Sequence, residues 1–127
     1  MYKLSRRSQD NLEGVDKRLQ TVVRTAIALT KIDLVGKAVD LMAYINGRAS
    51  WEMNLYDDIA DAMKEAANIS SVQICWGAAW ATPDMPYPMN IRKWKGTMEE
   101  AMNAYIDLRR SQGRRPFMDG PHFELID

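Results

Sequence analysis

A single cysteine, Cys75, and a single histidine, His122, set the tightest limit on how this 127-residue chain folds. One cysteine cannot form an internal disulfide, and one residue of each type cannot build a structural zinc site of four cysteines or of two cysteines and two histidines. The chain must therefore fold around a hydrophobic core, for which 46% apolar residues suffice. We expect one domain, residues 1–127, in a reducing compartment.

The charge balance excludes several classes of partner. Seventeen Lys and Arg side chains equal seventeen Asp and Glu side chains, so no net field draws the chain to nucleic acid or to an anionic membrane. No apolar run approaches the roughly 20 residues of a membrane helix, and no apolar stretch follows the basic start, Met1 to Arg7, as a signal peptide would require. We therefore expect no nucleic-acid partner, no membrane partner and a cytoplasmic location.

Hydrophobic periodicity predicts about three helices. Apolar residues at helical spacing predict the first over residues 15–29. Asn54 is the predicted N-cap of the second. The third is opened by a capping box, Thr97-x-x-Glu100. Three prolines and the absence of a clear period predict a loop over residues 81–95.

The strand signals lie between these helices and at the end of the chain. A strand from Val39 is predicted to continue through Ile45 into Asn46-Gly47, a dipeptide typical of a type I′ turn, and residues 48–51 return as its partner. Two further strands are predicted over residues 71–76 and 121–125. This order of elements predicts an α+β fold, with a small antiparallel sheet packed against the helices.

The segment from Asp119 to Leu125 concentrates residues that carry chemistry. Gly120-Pro121 imposes a turn, after which His122 begins a strand and shares one face with Glu124. Asp119 lies three residues before His122, across the turn. A histidine flanked by two carboxylates is typical of a catalytic or metal-ligating group. The alternative is a surface histidine beside solvated acids.

Asp40 stands in an otherwise apolar strand, between Val39 and Leu41. A carboxylate there either lies at a strand end facing water or coordinates a ligand, and the residues alone favour neither. Cys75, next to Trp76 in a predicted strand, is expected to be buried and unreactive.

Four motifs, in order along the chain, resemble those of the zinc L-alanyl-D-glutamate peptidases, a family that includes many phage endolysins. The motifs are Ser8-x-x-Asn11-Leu12-x-Gly14-Val15, Gly36-x-Ala38-x-Asp40-Leu41, Trp76-Gly77-Ala78-Ala79-Trp80 and Asp119-Gly120-Pro121-His122-Phe123-Glu124-Leu125. The resemblance implies a fold of the Hedgehog/DD-peptidase type. It also implies a zinc metallopeptidase that cuts the peptidoglycan peptide between L-alanine and D-glutamate, and that reaches the cell wall after release from the cytoplasm of a bacterial host.

The resemblance also assigns roles to single positions. Asp40 matches the carboxylate ligand of zinc, His122 matches the second histidine ligand, and Asp119 matches the general base. A catalytic zinc holds three protein ligands and keeps one position open for water or substrate. Glu124 follows the ligand on the same strand, and we expect it to orient His122.

The first zinc histidine of the family motif is missing from this chain. It precedes the aspartate by seven positions, which places Asp33 where the histidine would be. The strand, the arginine-containing helix and the Ser-x-His half-motif that relatives carry in this region are also missing, which indicates an internal deletion with its junction at residues 32–34 and a truncated fold. Asp33 is the candidate third ligand. An Asp-Asp-His site would be more anionic and would raise the pKa of bound water.

Two functions follow from this pattern. The first is a zinc endopeptidase, favoured by the retention of Asp40, Asp119 and His122. The second is a catalytically inactive remnant that binds cell wall or a protein partner, or that regulates, and the missing histidine favours it. A deleted strand and helix would leave apolar surface uncovered, so self-association or a protein partner is a further expectation.

Aromatic and basic residues supply weaker signals. Four large aromatic residues are candidates for lining a substrate groove, and the alternative is core packing: Trp76, Trp80, Tyr87 and Trp94. The basic segment from Arg109 to Arg115 has three interpretations: interaction with a helix dipole, binding to an anionic wall polymer or substrate carboxylate, and binding to nucleic acid. The balanced charge of the chain argues against the third.

Overall fold

The computed structural model describes residues 16–20, the backbone of residues 31–32, and residues 37–126. Within these ranges the elements are β1 Lys31–Ile32, β2 Ala38–Asp40, β3 Ala43–Ile45, β4 Arg48–Ser50, α1 Met53–Ser70, β5 Ile74–Trp76, a 3-10 helix Ile91–Lys93, α2 Met98–Ser111 and β6 His122–Leu125. Residues 17–20 are helical, as predicted, and the rest of the predicted first helix lies outside the described residues. No helix in the described ranges is long and apolar enough to cross a membrane.

A four-stranded antiparallel sheet, in the order β1-β2-β6-β5, forms the centre of this α+β fold and confirms the predicted class. Phe123 in β6 pairs with Val39 on one side and with Trp76 on the other. All three side chains are buried, whereas His122 and Glu124 in the same strand are partly exposed. Successive residues of a strand point to opposite faces, so the sheet has one face in the core and one face that is open at β6.

The strand predicted from Val39 to Ile45 is in fact two strands. β2 ends at Asp40 and pairs with β6, while β3 begins at Ala43 and pairs with β4 in a separate two-stranded sheet. Between them the Leu41 N–H donates to the Pro121 carbonyl at 2.8 Å, and the Leu41 side chain is fully buried. Burial of Leu41 keeps the chain at the main sheet for one residue beyond β2, before the chain turns away to β3. The alternating sequence pattern alone does not reveal this break between the strands.

The predicted turn of the β3–β4 hairpin is confirmed. Asn46 and Gly47 have φ angles of 52° and 77°, the positive values that a type I′ turn requires and that glycine adopts without steric cost. Tyr56 of α1 ties this hairpin to the rest of the molecule, because its hydroxyl donates to the Ser50 carbonyl and accepts from the Ala43 N–H at 3.3 Å.

Helix α1 begins before its predicted cap. Met53 is its first residue and Glu52 is the N-cap, with no side-chain hydrogen bond, so Asn54 lies in the first turn and the predicted cap is wrong. The tertiary contact of Tyr56 with the hairpin takes the place of a cap in fixing this end. The buried residues of α1 are Tyr56, Asp57, Ala60, Met63, Ala66 and Ala67.

Helix α2 begins as predicted. The Thr97 hydroxyl accepts from the Glu100 N–H at 3.2 Å, and the Glu100 carboxylate accepts from the Thr97 N–H at 3.1 Å. Asp61 of α1 accepts a further bond from the Met98 N–H at 2.8 Å, which joins the start of α2 to α1. A local motif and a tertiary contact therefore satisfy the same helix end.

The predicted loop over residues 81–95 is largely irregular, but it contains the 3-10 helix Ile91–Lys93. The Asn90 side chain caps it by accepting from the Arg92 N–H at 3.1 Å. Ile91 is fully buried, and the element packs against β5 and α1. Three residues are too few to produce a helical period, so the pattern missed this element.

Candidate metal centre and active site

A cross-strand pair forms the base of the site. Asp40, at the end of β2, lies directly opposite His122, at the start of β6, and directly opposed residues of antiparallel strands bring their side chains together. The Asp40 Oδ1 atom is 3.2 Å from His122 Nδ1. The two side chains are 20% and 21% exposed. Asp40 thus contacts His122 and does more than face water at a strand end.

Glu124 contacts the other ring nitrogen of His122. It lies two positions further along β6, on the same face, and its Oε1 atom is 3.1 Å from His122 Nε2. The hydrogen bond with Asp40, aided by Glu124, raises the pKa of His122 to about 8, although burial acts in the opposite direction. The metal-free imidazole is therefore largely protonated at neutral pH and bridges two carboxylates.

Asp119 reaches the site through the turn that precedes β6. Its N–H donates to the Gly77 carbonyl at 2.7 Å, and its own carbonyl accepts from the His122 N–H at 3.1 Å. The Gly77 N–H in turn donates to the His122 carbonyl at 2.8 Å. A Cβ at position 77 would collide with the Asp119 carbonyl oxygen and lie 3.0 Å from the Cβ of His122. Only glycine lets the end of β5 approach this turn so closely.

Asp40, Asp119 and His122 together fit a metal ion. One ligand atom from each lies within 4.8 Å of the others, and all three side chains are half-buried. Carboxylate oxygen and imidazole nitrogen are both ligands that zinc takes in proteins. The residues predicted to hold and assist the metal therefore lie side by side in the structure. In the sequence, Asp40 is 79 positions before Asp119.

Two of the predicted groove residues, Trp76 and Trp80, differ in position. Trp76 is fully buried, stacks on Phe123 with ring centroids 6.3 Å apart, and donates from Nε1 to the Gly120 carbonyl at 2.7 Å. Its prediction as a substrate-contacting residue is wrong, because it packs beneath the turn before β6. Trp80 is 9% exposed, and its ring lies 5.6 Å from that of His122.

A groove opens beside the candidate metal-ligating group, which consists of Asp40, Asp119 and His122. Its volume is about 320 Å³, and its lining consists of Trp80, Tyr87, Tyr105, Arg109 and Phe117. The sequence indicated Trp80 and Tyr87 as aromatic groove candidates and Arg109 as part of a basic segment. It gave no reason to select Tyr105 or Phe117. Both lie outside the recognisable motifs, and only the packing of α2 against the segment that follows it brings them together.

The sequence of the middle of the chain matches a known family. The model for the phage L-alanyl-D-glutamate peptidase covers residues 33–97, just over half of the 127 residues. The chain belongs to this peptidase family. Its fold is similar to the crystal structure of the L-Ala D-Glu endopeptidase ChiX of Serratia marcescens, with a TM-score of 0.63, 23% identity, and coverage of 98% of this chain and 90% of that chain. No curated protein sequence is significantly similar to the chain.

The family match and the structure identify different parts of the site. Asp40 and the Trp76–Trp80 stretch lie inside the matched residues, whereas Asp119 and His122 follow them. The sheet joins the two parts by placing β6 between β2 and β5. The peptidase-family segment and the last strand therefore form one site.

Asp33, the predicted third ligand, lies outside the described residues. β1 ends at Ile32, which pairs with Val39 of β2, and the peptidase-family match begins at residue 33. Asp33 stays a predicted ligand, and the junction at residues 32–34 stays a predicted deletion.

Proposed function

We propose that the protein is a zinc-dependent endopeptidase that hydrolyses the L-alanyl-D-glutamate bond of peptidoglycan, in the manner of a phage endolysin. The observation that carries this proposal is the approach of Asp40, Asp119 and His122 to within 4.8 Å, in a chain of the phage L-alanyl-D-glutamate peptidase family. The substrate is the peptide of the bacterial cell wall, which the protein would reach after release from the host cytoplasm.

Each side chain of the group has a proposed task. Asp40 and His122 would hold the zinc ion, which supplies a Lewis acid that polarises the scissile carbonyl and lowers the pKa of water. Asp119 accepts the proton of the attacking water and returns it to the leaving amine. Glu124 holds the imidazole ring in one orientation through its contact with Nε2.

The third ligand is proposed to be Asp33. The chain has one histidine, so no second imidazole is available for the family's first zinc position. A carboxylate supplies an oxygen ligand at a similar distance from zinc, but the shorter Asp side chain requires its backbone to lie closer to the metal.

The test is the zinc content of the full chain after loading with zinc and desalting. We expect near-stoichiometric zinc in the unaltered protein, and its loss in His122→Ala and Asp33→Ala. Asp107→Asn is the matched control, because Asp107 is an exposed acid on α2, outside the site, and this variant should keep its zinc. Release of peptides with a new N-terminal D-glutamate from purified peptidoglycan then tests the reaction. An unaltered protein that retains no zinc would rule out the metallopeptidase.

A second function is supported by the single histidine. With the first zinc histidine absent, the fold would serve as a wall-binding, partner-binding or regulatory module that performs no hydrolysis. Co-sedimentation with insoluble peptidoglycan separates the two functions. A module of this kind binds equally well with and without zinc and leaves the peptide intact, whereas the enzyme shortens it only when zinc is present.

A further inference from the structure

The groove lies next to the candidate metal-ligating group, and Trp80 contacts both. Trp80 is the shared wall: it lines the groove, and its ring centroid lies 5.6 Å from that of His122. A volume of about 320 Å³ is within the range of small-ligand sites and accommodates one or two amino-acid residues. A peptide bound for cleavage at Asp40, Asp119 and His122 would therefore have room beside Trp80 for the residue next to the scissile bond.

The walls of this groove are built before any ligand arrives. The Tyr105 hydroxyl donates to the Phe117 carbonyl at 3.1 Å and accepts from the Phe117 N–H at 3.2 Å, so α2 fixes the backbone of the segment after it. Tyr87 packs on Trp80 with ring centroids 5.7 Å apart. The side chains of Tyr87 and Phe117 are nevertheless 62% and 66% exposed. Exposed aromatic walls on a fixed backbone are typical of a binding surface.

Arg109 gives the groove its charge. Its guanidinium lies over the Tyr105 ring, 5.6 Å from the centroid, and its nearest hydrogen-bond partner is the neutral amide of Gln112 at 3.5 Å. Within the described ranges, no carboxylate forms an ion pair with Arg109. A guanidinium placed among aromatic walls, with donors left over, is suited to bind a carboxylate.

We propose that this groove binds the residue next to the scissile bond and that Arg109 recognises a free carboxylate on it. The inference rests on the proposed peptidase function, and it extends that function to substrate selection. A glutamyl residue inside a peptide has two carboxyl groups and uses only one in the onward bond, so the other carries a negative charge close to the cut. Arg109 is then a specificity-determining residue that favours glutamyl over the amidated form of the same residue.

The test compares two synthetic peptides with the full-length protein. Both are L-alanyl-D-glutamyl-L-lysine with the terminal carboxyl group amidated, and they differ in whether the remaining glutamyl carboxyl group is free or amidated. Binding is measured by calorimetry on the metal-free protein, where no cleavage occurs, and cleavage is measured separately with zinc. We expect the free carboxylate to bind about 10- to 100-fold more tightly, the range for a hydrogen bond to a charged group.

Three variants locate the effect. Arg109→Gln should abolish the preference, whereas Arg110→Gln should keep it, because Arg110 is an exposed neighbour outside the groove. Tyr87→Ala removes an exposed wall residue without threatening the fold, and it should weaken both peptides while keeping the preference. Thermal unfolding of each variant shows that it is folded.

The outcomes separate this inference from the proposed function. Carboxylate preference that depends on Arg109, in a protein that does not cleave, supports the groove and overturns the peptidase. Cleavage of both peptides at equal rates, or equal binding of both, overturns the role of Arg109. An equal loss of preference in Arg109→Gln and Arg110→Gln also overturns it, because the effect would then be one of general positive charge.

Discussion

His122 derives its ionisation from the two carboxylates that contact its ring. The bond with Asp40, with Glu124 assisting, raises its pKa to about 8, above the value near 6.5 that an unfolded chain has. Protonation thus stabilises the folded, metal-free protein below about pH 6.5, and this contribution is lost as the pH rises through about 8. Zinc bound as proposed would reverse the dependence, because an imidazole that ligates a metal must be neutral.

We predict that the free energy of unfolding of the metal-free protein falls by on the order of 1–2 kcal/mol between pH 6 and pH 9. Urea unfolding at a series of pH values measures it, and His122→Gln, which cannot titrate, should lack the step. The increase in melting temperature that zinc causes, relative to the metal-free protein, should become larger as the pH rises over the same interval. Identical pH profiles for the two metal-free proteins would contradict the contacts of the imidazole ring.

Burial raises the pKa of Cys75, whereas it acts to lower the pKa of His122. The Cys75 side chain is 1% exposed, and burial, with a contribution from Glu124, raises its pKa to about 12. We predict that iodoacetamide at pH 8 alkylates the folded protein roughly a thousandfold more slowly than the urea-unfolded protein, since the thiolate is the reactive form. The rate of mass increase measures this. Equal rates in the two states would mean that β5 is open to solvent.

At the level of the elements, the two long helices differ in what fixes their first turn. α2 has a local capping box and α1 has none, although the sequence contains a suitable residue, Asn54, two positions after the N-cap Glu52. A cap depends on the backbone conformation just before the helix, and the hairpin that contacts Tyr56 decides that conformation for α1.

We predict that Thr97→Ala lowers the free energy of unfolding by about 1 kcal/mol, the usual cost of losing an N-cap hydroxyl. Asn54→Ala is the matched control and should change stability by less than about 0.5 kcal/mol, as for an exposed helical position. Chemical denaturation of both variants measures the difference. Equal losses would show that Asn54 acts as a cap in solution.

At the level of the whole molecule, the site depends on how closely β5 approaches the turn before β6. Gly77 is the point of contact, through its bonds to Asp119 and His122. A side chain at this position must push away the turn that carries both site residues. We therefore expect a substitution at position 77 to affect both stability and the proposed metal binding.

We predict that Gly77→Ala lowers the free energy of unfolding by about 1–3 kcal/mol, the usual cost of overpacking, and also abolishes zinc retention. Gly113→Ala is the control. Gly113 has a φ of 70° and open space around it, so the variant should lose about 1–2 kcal/mol through backbone strain and keep its zinc. Zinc content and melting temperature are measured together. Loss of zinc in both variants would mean that lowered stability alone, at either position, releases the metal.

The sequence by itself predicted three kinds of feature: the candidate site residues, the Asn46-Gly47 turn and the capping box of α2. Each depends on residue types at short spacing, so local sterics and hydrogen bonding determine it. The pairing of Asp40 with His122, the division of one predicted strand into β2 and β3, the burial of Trp76 and the groove with Arg109 were decided only by the tertiary structure. These features depend on which strands become neighbours and which surfaces are buried, and no short stretch of the chain contains that information.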